Sequence, residues 1–484
     1  MKSRGSIASG LLPALFVAAG GLPAVGCGAS GMGQPVDPNA APFNVDLTID
    51  SSTQYQTMVG FGAAVAFEIG LLANQPNRTE IYDALFVDAG LQILRVANWY
   101  QNSQARGNPN DMGDFNSTAS VVAGARAALG HDPVILMSSW SPPPSLKSVD
   151  SFVGGTLGQT NGAYRYADFG QWWRASLDAY AAAGVVPTYV SIQNEPDFLP
   201  TGSNPWSSCL IDATEDLTQH AGYGPALDAV AGAIADLPSN KPMLVGPEVS
   251  GIGGATIENY LEAITSSGDL YRLGGVAHHL YNGGSASAPS SFSGGMTTLA
   301  DAASGLPLFQ TEFGPNPADM FNTAWLINNA VTVEGVTAYL HWDLIWGESA
   351  TSTNPSGLIS IETAAPANWK TPKGYKVNDT YYALKHFAKW IDVGWQRIAA
   401  TPASFVIRAS AFKSPDGQSV TLVLLNVDSA EHTVTLDPGG FPFNTSAVYR
   451  TSGTDERTAP LGPLPAGNII DMPGRSLATV TLTP

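Results

Sequence analysis

Tyr189-Val190-Ser191-Ile192-Gln193-Asn194-Glu195-Pro196 is a β-branched run that ends on a carboxylate, and Leu308-Phe309-Gln310-Thr311-Glu312 repeats the pattern further along the chain. Short apolar runs bounded by turn residues, with helix-length segments between them, read as buried strands of a parallel sheet. Six more runs of this kind lie around the first two: Val59–Phe61, Ile93–Val96, Val134–Met137, Met243–Val245, Val276–His279 and Thr337–Leu340. Amphipathic stretches separate them, among them Arg78–Ala89, Tyr166–Ala183, Gly224–Leu237, Ala318–Val333 and Asp379–Ile391. Eight strands alternating with helices predict an α/β fold, a closed (β/α)8 TIM barrel over 58–394. An open doubly wound sheet is the alternative. It would need a Gly-rich phosphate fingerprint after the first strand, and Gly60-Phe61-Gly62 lacks the spacing and the acidic partner.

From 395 to 484 the period changes. Phe405–Ala411, Ser419–Asn426, His432–Leu436 and Ser476–Leu482 alternate apolar and polar residues with turn residues between them. That pattern predicts an appended antiparallel β-sandwich-like side domain. Residues 43–57 alternate in the same way through Val45, Leu47 and Ile49, so they are expected to lend that domain a strand before the barrel begins.

The N-terminus reads as an export signal over 1–27: Lys2 and Arg4 precede an apolar stretch from Leu11 to Ala19, too short to span a bilayer. Ala24-Val25-Gly26-Cys27 is similar to a lipoprotein cleavage box. Lipid anchoring at Cys27 and plain secretion are both open, and 28–42 reads as a flexible leader. The only other cysteine is Cys209, so the fold is not expected to depend on a disulfide. Composition agrees with an exported, loop-rich protein: 51 Gly, 35 Pro and only 13% charged residues. A net charge of −18 repels phosphate backbones and anionic lipid surfaces, which argues against a nucleic-acid partner. A neutral polysaccharide meets no such barrier, and 11 Trp and 16 Tyr offer faces on which sugar rings stack.

Barrel enzymes carry their reactive groups at the C-terminal strand ends. Glu195 follows strand four and Glu312 follows strand seven, so the two carboxylates are expected to face each other across the barrel mouth. Glycosidic cleavage needs such a pair: one acid to protonate the leaving oxygen, one carboxylate to meet the oxocarbenium-like carbon. The charge of Glu312 is expected to raise the pKa of Glu195. Pro196 disfavours helical dihedrals at Glu195 and is expected to hold it extended. No metal site is expected, since His278 and His279 are adjacent and not at ligand spacing, and no cofactor is called for.

Further motifs run collinearly with these: Gly60-Phe61-Gly62-Ala63, Leu94-Arg95-Val96, Ser139-Trp140-Ser141-Pro142-Pro143, Ser191–Asp197, His279-Leu280-Tyr281, Thr311-Glu312 and Tyr382–Trp395. Together they resemble glycoside hydrolase family 30 of clan A, whose members include xylanases, β-1,6-glucanases and glucosylceramidases. The resemblance implies a retaining mechanism with Glu195 as acid/base and Glu312 as nucleophile. It implies substrate contacts from Asn194, Trp140, Tyr281, Trp342, Arg95 and His279. Asn194 matches the asparagine expected on the sugar 2-hydroxyl. Arg95 is expected either to keep the nucleophile ionised or to form a structural salt bridge. His279 is either a site residue or a core histidine. Glu248, after strand five, reads as a supporting or solvent-facing group.

Within the family the closest resemblance is to the xylan-active branch. Its glucuronoxylanases carry an arginine-rich loop after strand eight, where this chain has Trp342-Asp343-Leu344-Ile345-Trp346-Gly347-Glu348. The acidic residues there are expected to repel a uronate, which argues against a strict glucuronate requirement. The expected activity is thus β-1,4-xylan hydrolysis. The alternatives are another β-linkage (β-1,6-glucan, galactan or a glycosylceramide) or a non-catalytic surface carbohydrate-binding protein. Retention of both carboxylates speaks against the last.

Overall fold

The computed structural model describes residues 41–102, 113–202, 205–237, 241–348, 356–363 and 372–484. The export signal, and all of the leader but its last two residues, lie outside that range. Among the described residues no helix is long and apolar enough to cross a membrane.

Eight parallel strands close into a barrel in chain order: Gly60–Val65, Ile93–Ala97, Val134–Ser138, Tyr189–Ser191, Met243–Val249, Leu273–His279, Leu308–Glu312 and Ala338–Trp342. The last pairs with the first, Ala338 opposite Gly60 and Trp342 opposite Ala64. Period-two alternation sorts the side chains of each strand. On the second strand Leu94 and Val96 face the surrounding helices, while Ile93 joins Leu136, Val245, Ala277, Phe309, Ala338 and Leu340 in the barrel interior. Arg95 shares the parity of Ile93, so it too points inward, one layer nearer the mouth. Gly62 exists for the same crowding: a Cβ there would lie 2.1 Å from the Ile93 carbonyl oxygen.

Two of the expected helices are less regular than their periodicity implied. Arg78–Tyr82 is α-helical and then widens into a π-helical turn over Asp83–Asp88, and Met320–Asn329 does the same over Ala330–Glu334. Hydrophobic spacing does not distinguish these, because one inserted residue leaves the buried face nearly unchanged. Tyr166–Ala182, Tyr223–Ala233 and Asp379–Ala388 are α-helical.

The side domain is a nine-stranded sheet over 396–483 that incorporates Asn44–Thr57. The sheet is antiparallel except where Asn44–Thr48 runs parallel to Thr433–Asp437, a departure from the all-antiparallel expectation. Such a pairing requires a chain segment remote in sequence, and here the barrel supplies the separation. Val420–Asn426 is buried on both faces. Val420, Leu422 and Leu424 pack within the sheet domain, whereas Val423 and Leu425 pack with the barrel helices. His386, on the helix Asp379–Ala388, joins the two halves through the hydroxyls of Thr479 (2.8 Å) and Thr451 (2.7 Å). Burial holds this imidazole neutral, with a pKa lowered to about 3. Cys209 is a free, buried thiol.

Candidate active site

At the C-terminal mouth of the barrel, Arg95 is fully buried and its guanidinium is divided among three acceptors. Its Nη1 donates to Glu312 Oε2 (2.8 Å), Nε to Glu248 Oε1 (3.0 Å) and Nη2 to Asn194 Oδ1 (2.6 Å). A planar fork with fixed donors can hold three side chains from strands four, five and seven at once; an ammonium could not fix their directions. Its two expected roles therefore coexist, since one face of the ion pair is structural and the other meets Glu312. The guanidinium also lies 4.6 Å over the Trp140 ring.

Glu248 is not solvent-facing. It is completely buried, takes Arg95 and Ser138 Oγ (3.2 Å), and its pKa is lowered: burial pushes it up, but Arg95 and His279 outweigh that. Its backbone carbonyl accepts from the Glu195 amide (3.1 Å), so strand five positions the end of strand four.

Glu195 does not sit in extended backbone. Its φ is +45° and that of Glu248 is +63°, both in the left-handed region that a residue with a Cβ enters at a cost of about 1–3 kcal/mol. The Pro196 ring excludes right-handed helical dihedrals but leaves this region open. The choice is made by the Glu195 amide reaching Glu248, the Asn194 amide reaching the Ser139 carbonyl (2.7 Å), and the Phe198 amide turning back to the Glu195 carbonyl (3.1 Å).

The carboxyl groups of Glu195 and Glu312 come together with His279. An oxygen of each and a ring nitrogen of His279 lie within 4.8 Å of one another. His279 Nδ1 is 3.2 Å from Glu195 Oε1 and 3.8 Å from Glu312 Oε1. It is a buried histidine whose pKa burial lowers against the pull of Glu312, and it belongs to the site. The Tyr281 hydroxyl donates to Glu312 Oε1 (3.1 Å). Three such ligands could bracket a cation, but Glu312 is already bonded to Arg95 and Tyr281, and Glu195 and His279 are bonded to each other.

Burial above all drives the Glu195 carboxyl up to about 8; the neighbouring Asp197 charge adds to this and Arg95 opposes it. The expected mutual repulsion with Glu312 registers on the other partner, where the Glu195 charge pushes Glu312 up. Asp197, two residues from Glu195, is a cause that was not expected from the sequence. Its carboxylate accepts from the Ser250 amide (2.9 Å) and hydroxyl (2.7 Å). Burial raises Glu312 as well, against the pull of His279 and Arg95. The shared proton belongs on Glu195: Glu312 accepts from a guanidinium and a phenol, donors that favour a carboxylate, while among the described residues no Lys or Arg bonds Glu195.

These groups open into a cavity of about 560 Å³. Trp140, Tyr281 and Trp342 line it, with Trp140 and Trp342 centroids 6.0 Å apart. Arg95, Asn194 and His279 form the layer beneath and do not line it. Phe67, Phe198, Ser250, Asn282, Trp206 and Trp346 complete the wall. Of these, Phe67, Phe198, Ser250 and Asn282 were not singled out from sequence, although each lies within a few residues of a barrel strand's C-terminal end. The acidic residues after strand eight do not face a substrate. Asp343 is buried, and Glu348 is buried against Ser360 Oγ (2.7 Å) and Lys376 Nζ (2.8 Å). Their expected repulsion of a uronate therefore does not operate through that loop, because Lys376 neutralises Glu348 from a strand further along the chain.

Residues 394–480 match the glycosyl hydrolase family 30 beta sandwich domain. The C-terminal domain is of the glycosyl hydrolase family 30 type. An endo-1,6-β-D-glucanase of Neurospora crassa is 28% identical over 454 residues, covering 84% of this chain and 86% of that protein. Xylanase C of Talaromyces cellulolyticus superposes with a TM-score of 0.70 at 20% identity, over 91% of this chain and all of that one. A solved endo-β1,6-glucanase superposes at 0.67 and 17%, over 91% and 94%. The family 30 architecture of barrel plus β domain is thus common to enzymes named for different linkages. This chain is a glycoside hydrolase.

Proposed function

We propose that this chain is an exported retaining β-glycosidase in which Glu312 is the nucleophile and Glu195 the acid/base, acting on a neutral β-glucan, with β-1,6-glucan the first substrate. The observation that carries the mechanism is the closeness of the two carboxyl groups, within 4.8 Å. Retaining enzymes hold theirs about 5–5.5 Å apart, and inverting enzymes leave about 6.5–9.5 Å for a water. The Glu312 carboxylate attacks the anomeric carbon while the Glu195 proton passes to the departing glycosidic oxygen. The resulting glycosyl ester is opened by a water whose proton returns to Glu195, releasing Glu312. Arg95 and Tyr281 hold Glu312 ionised and aimed. Asn194 spends its oxygen on Arg95, which fixes the direction of its NH2 group.

The substrate reading rests on the Neurospora crassa relative, whose name specifies β-1,6-linked glucan over most of both chains. The cavity agrees with a neutral ring: its described lining carries no Lys or Arg, and its only carboxylates are Glu195 and Glu312. β-1,4-Xylan, the substrate expected from the motifs, is the second reading. Export rests on the 1–27 segment alone, with or without lipid at Cys27. Purified protein incubated with β-1,6-glucan, unsubstituted xylan, glucuronoxylan and β-galactan, with the first-formed anomer followed by proton NMR, tests the proposal. Release of β-anomeric product from β-1,6-glucan is expected. An α-anomeric first product would refute the double displacement, and cleavage of xylan alone would refute the substrate.

A further inference from the structure

The cavity holds two aromatic pairs, and each is tied to a different carboxylate. Trp140 and Trp342 belong with Glu312: Trp140 lies beneath the guanidinium that bonds Glu312, and the Trp342 amide donates to the carbonyl of Phe313, the next residue (3.1 Å). Phe198 and Trp206 belong with Glu195. Phe198 is folded back onto the Glu195 carbonyl, and its ring stacks on Trp206 with centroids 5.9 Å apart and planes at 26°. The Trp206 indole N–H donates to the Glu195 carboxyl and partly offsets the upward shift there. Phe198 is 40% exposed, and among the described large exposed apolar residues it is the one that lines the cavity.

The side on which each pair lies has a chemical meaning. The ring being cleaved lies against Glu312, because its anomeric carbon is attacked there. The oxygen protonated by Glu195 carries the departing ring, which must lie on the Glu195 side. We propose that Phe198 and Trp206 form the subsite for that departing ring, a neutral pyranose whose apolar C–H face rests on the stacked pair. This rests on the roles given to Glu195 and Glu312 above.

The platform is held from behind. The Lys147 ammonium, largely buried, donates to Ser141 Oγ (2.9 Å), the Phe152 carbonyl (2.9 Å) and the Ser208 carbonyl (2.7 Å), two residues after Trp206. The Ser208 and Ile211 amides reach the Phe152 and Pro196 carbonyls, both at 3.0 Å. The segment carrying Trp206 is therefore clamped to the loops after strands three and four, so its ring is pre-positioned and does not have to be ordered by the substrate.

Two substrates that share a glycone but differ in leaving group test this: β-1,6-glucotetraose, whose departing group is a sugar, and β-gentiobiosyl fluoride, whose departing fluoride needs no platform. Should xylan prove the substrate, xylotetraose and β-xylobiosyl fluoride replace them. In W206A and F198A the ratio of kcat/KM for the oligosaccharide to that for the fluoride is expected to fall about tenfold, the worth of an aromatic contact. In W206F, which keeps a flat face but lacks the N–H, most of that ratio returns and the alkaline limb of the oligosaccharide pH profile moves up. The fluoride rate reports in each variant that the site is folded. An unchanged ratio in both alanine variants overturns the subsite and leaves the mechanism standing. Failure of the wild-type protein to hydrolyse either fluoride overturns the mechanism and the subsite together.

Discussion

Arg95 is the residue whose removal the structure prices most directly. R95M takes a cation from a site with no solvent and strands two carboxylates, Glu248 and Glu312. Breaking a buried pair from one side costs about 3–5 kcal/mol, chiefly for the charge left behind. Whole-protein stabilities are on the order of 5–15 kcal/mol, so the variant is expected to fold with a Tm lower by roughly 10 °C. Arg95 also holds Glu312 below where burial alone would put it. Without that opposite charge the Glu312 carboxyl rises, so the acid limb of kcat/KM should move up. Loss of a charge-assisted hydrogen bond to the nucleophile should lower kcat/KM at its optimum roughly tenfold to a hundredfold. The double variant R95M/E248Q separates the two effects: it removes one stranded charge and should recover part of the Tm while leaving the acid limb displaced. Thermal melts by circular dichroism and initial rates from pH 4 to 9 read both quantities. An acid limb that stays in place in R95M refutes the assignment of Glu312 as an ionised group stabilised by Arg95.

The pKa of Glu195, about 8, sets the alkaline limb of kcat/KM in the free enzyme, and E195Q should abolish that limb along with most of the rate on a sugar leaving group. The same shift has a stability consequence. Between 4.5 and about 8 the native state keeps a proton that the unfolded chain has lost, so the contribution of Glu195 is full below 4.5 and fades as pH rises through about 8. E195Q never ionises, so its Tm advantage over the parent should widen from pH 5 to pH 8; a constant difference in calorimetry would contradict the buried, protonated acid. At the domain junction His386 has the opposite sign. Its depressed pKa contributes stability above 6.5 that is lost as pH falls towards about 3. H386Q should melt lower at pH 7 and lose less between pH 6.5 and 4, and parallel melting curves for the two proteins would count against this.

The sequence by itself determined the barrel, the strand ends and the two glutamates, because those features are written in local period. Apolar runs at the right spacing give eight strands, with Glu195 shortly after the fourth and Glu312 at the end of the seventh. Position in the side domain was legible for the same reason, even for the N-terminal strand. What local pattern could not give was decided by neighbours distant in the chain. Whether Glu195 is extended or left-handed depends on an amide reaching Glu248, 53 residues on. Whether Glu348 confronts a substrate depends on Lys376, which buries its charge in an ion pair. The acidity of Glu195 follows from burial and Asp197, and burial is a property of the closed barrel, not of any stretch of residues. Backbone period is an intrinsic property of the chain; electrostatic environment exists only once the elements have packed and water has been expelled.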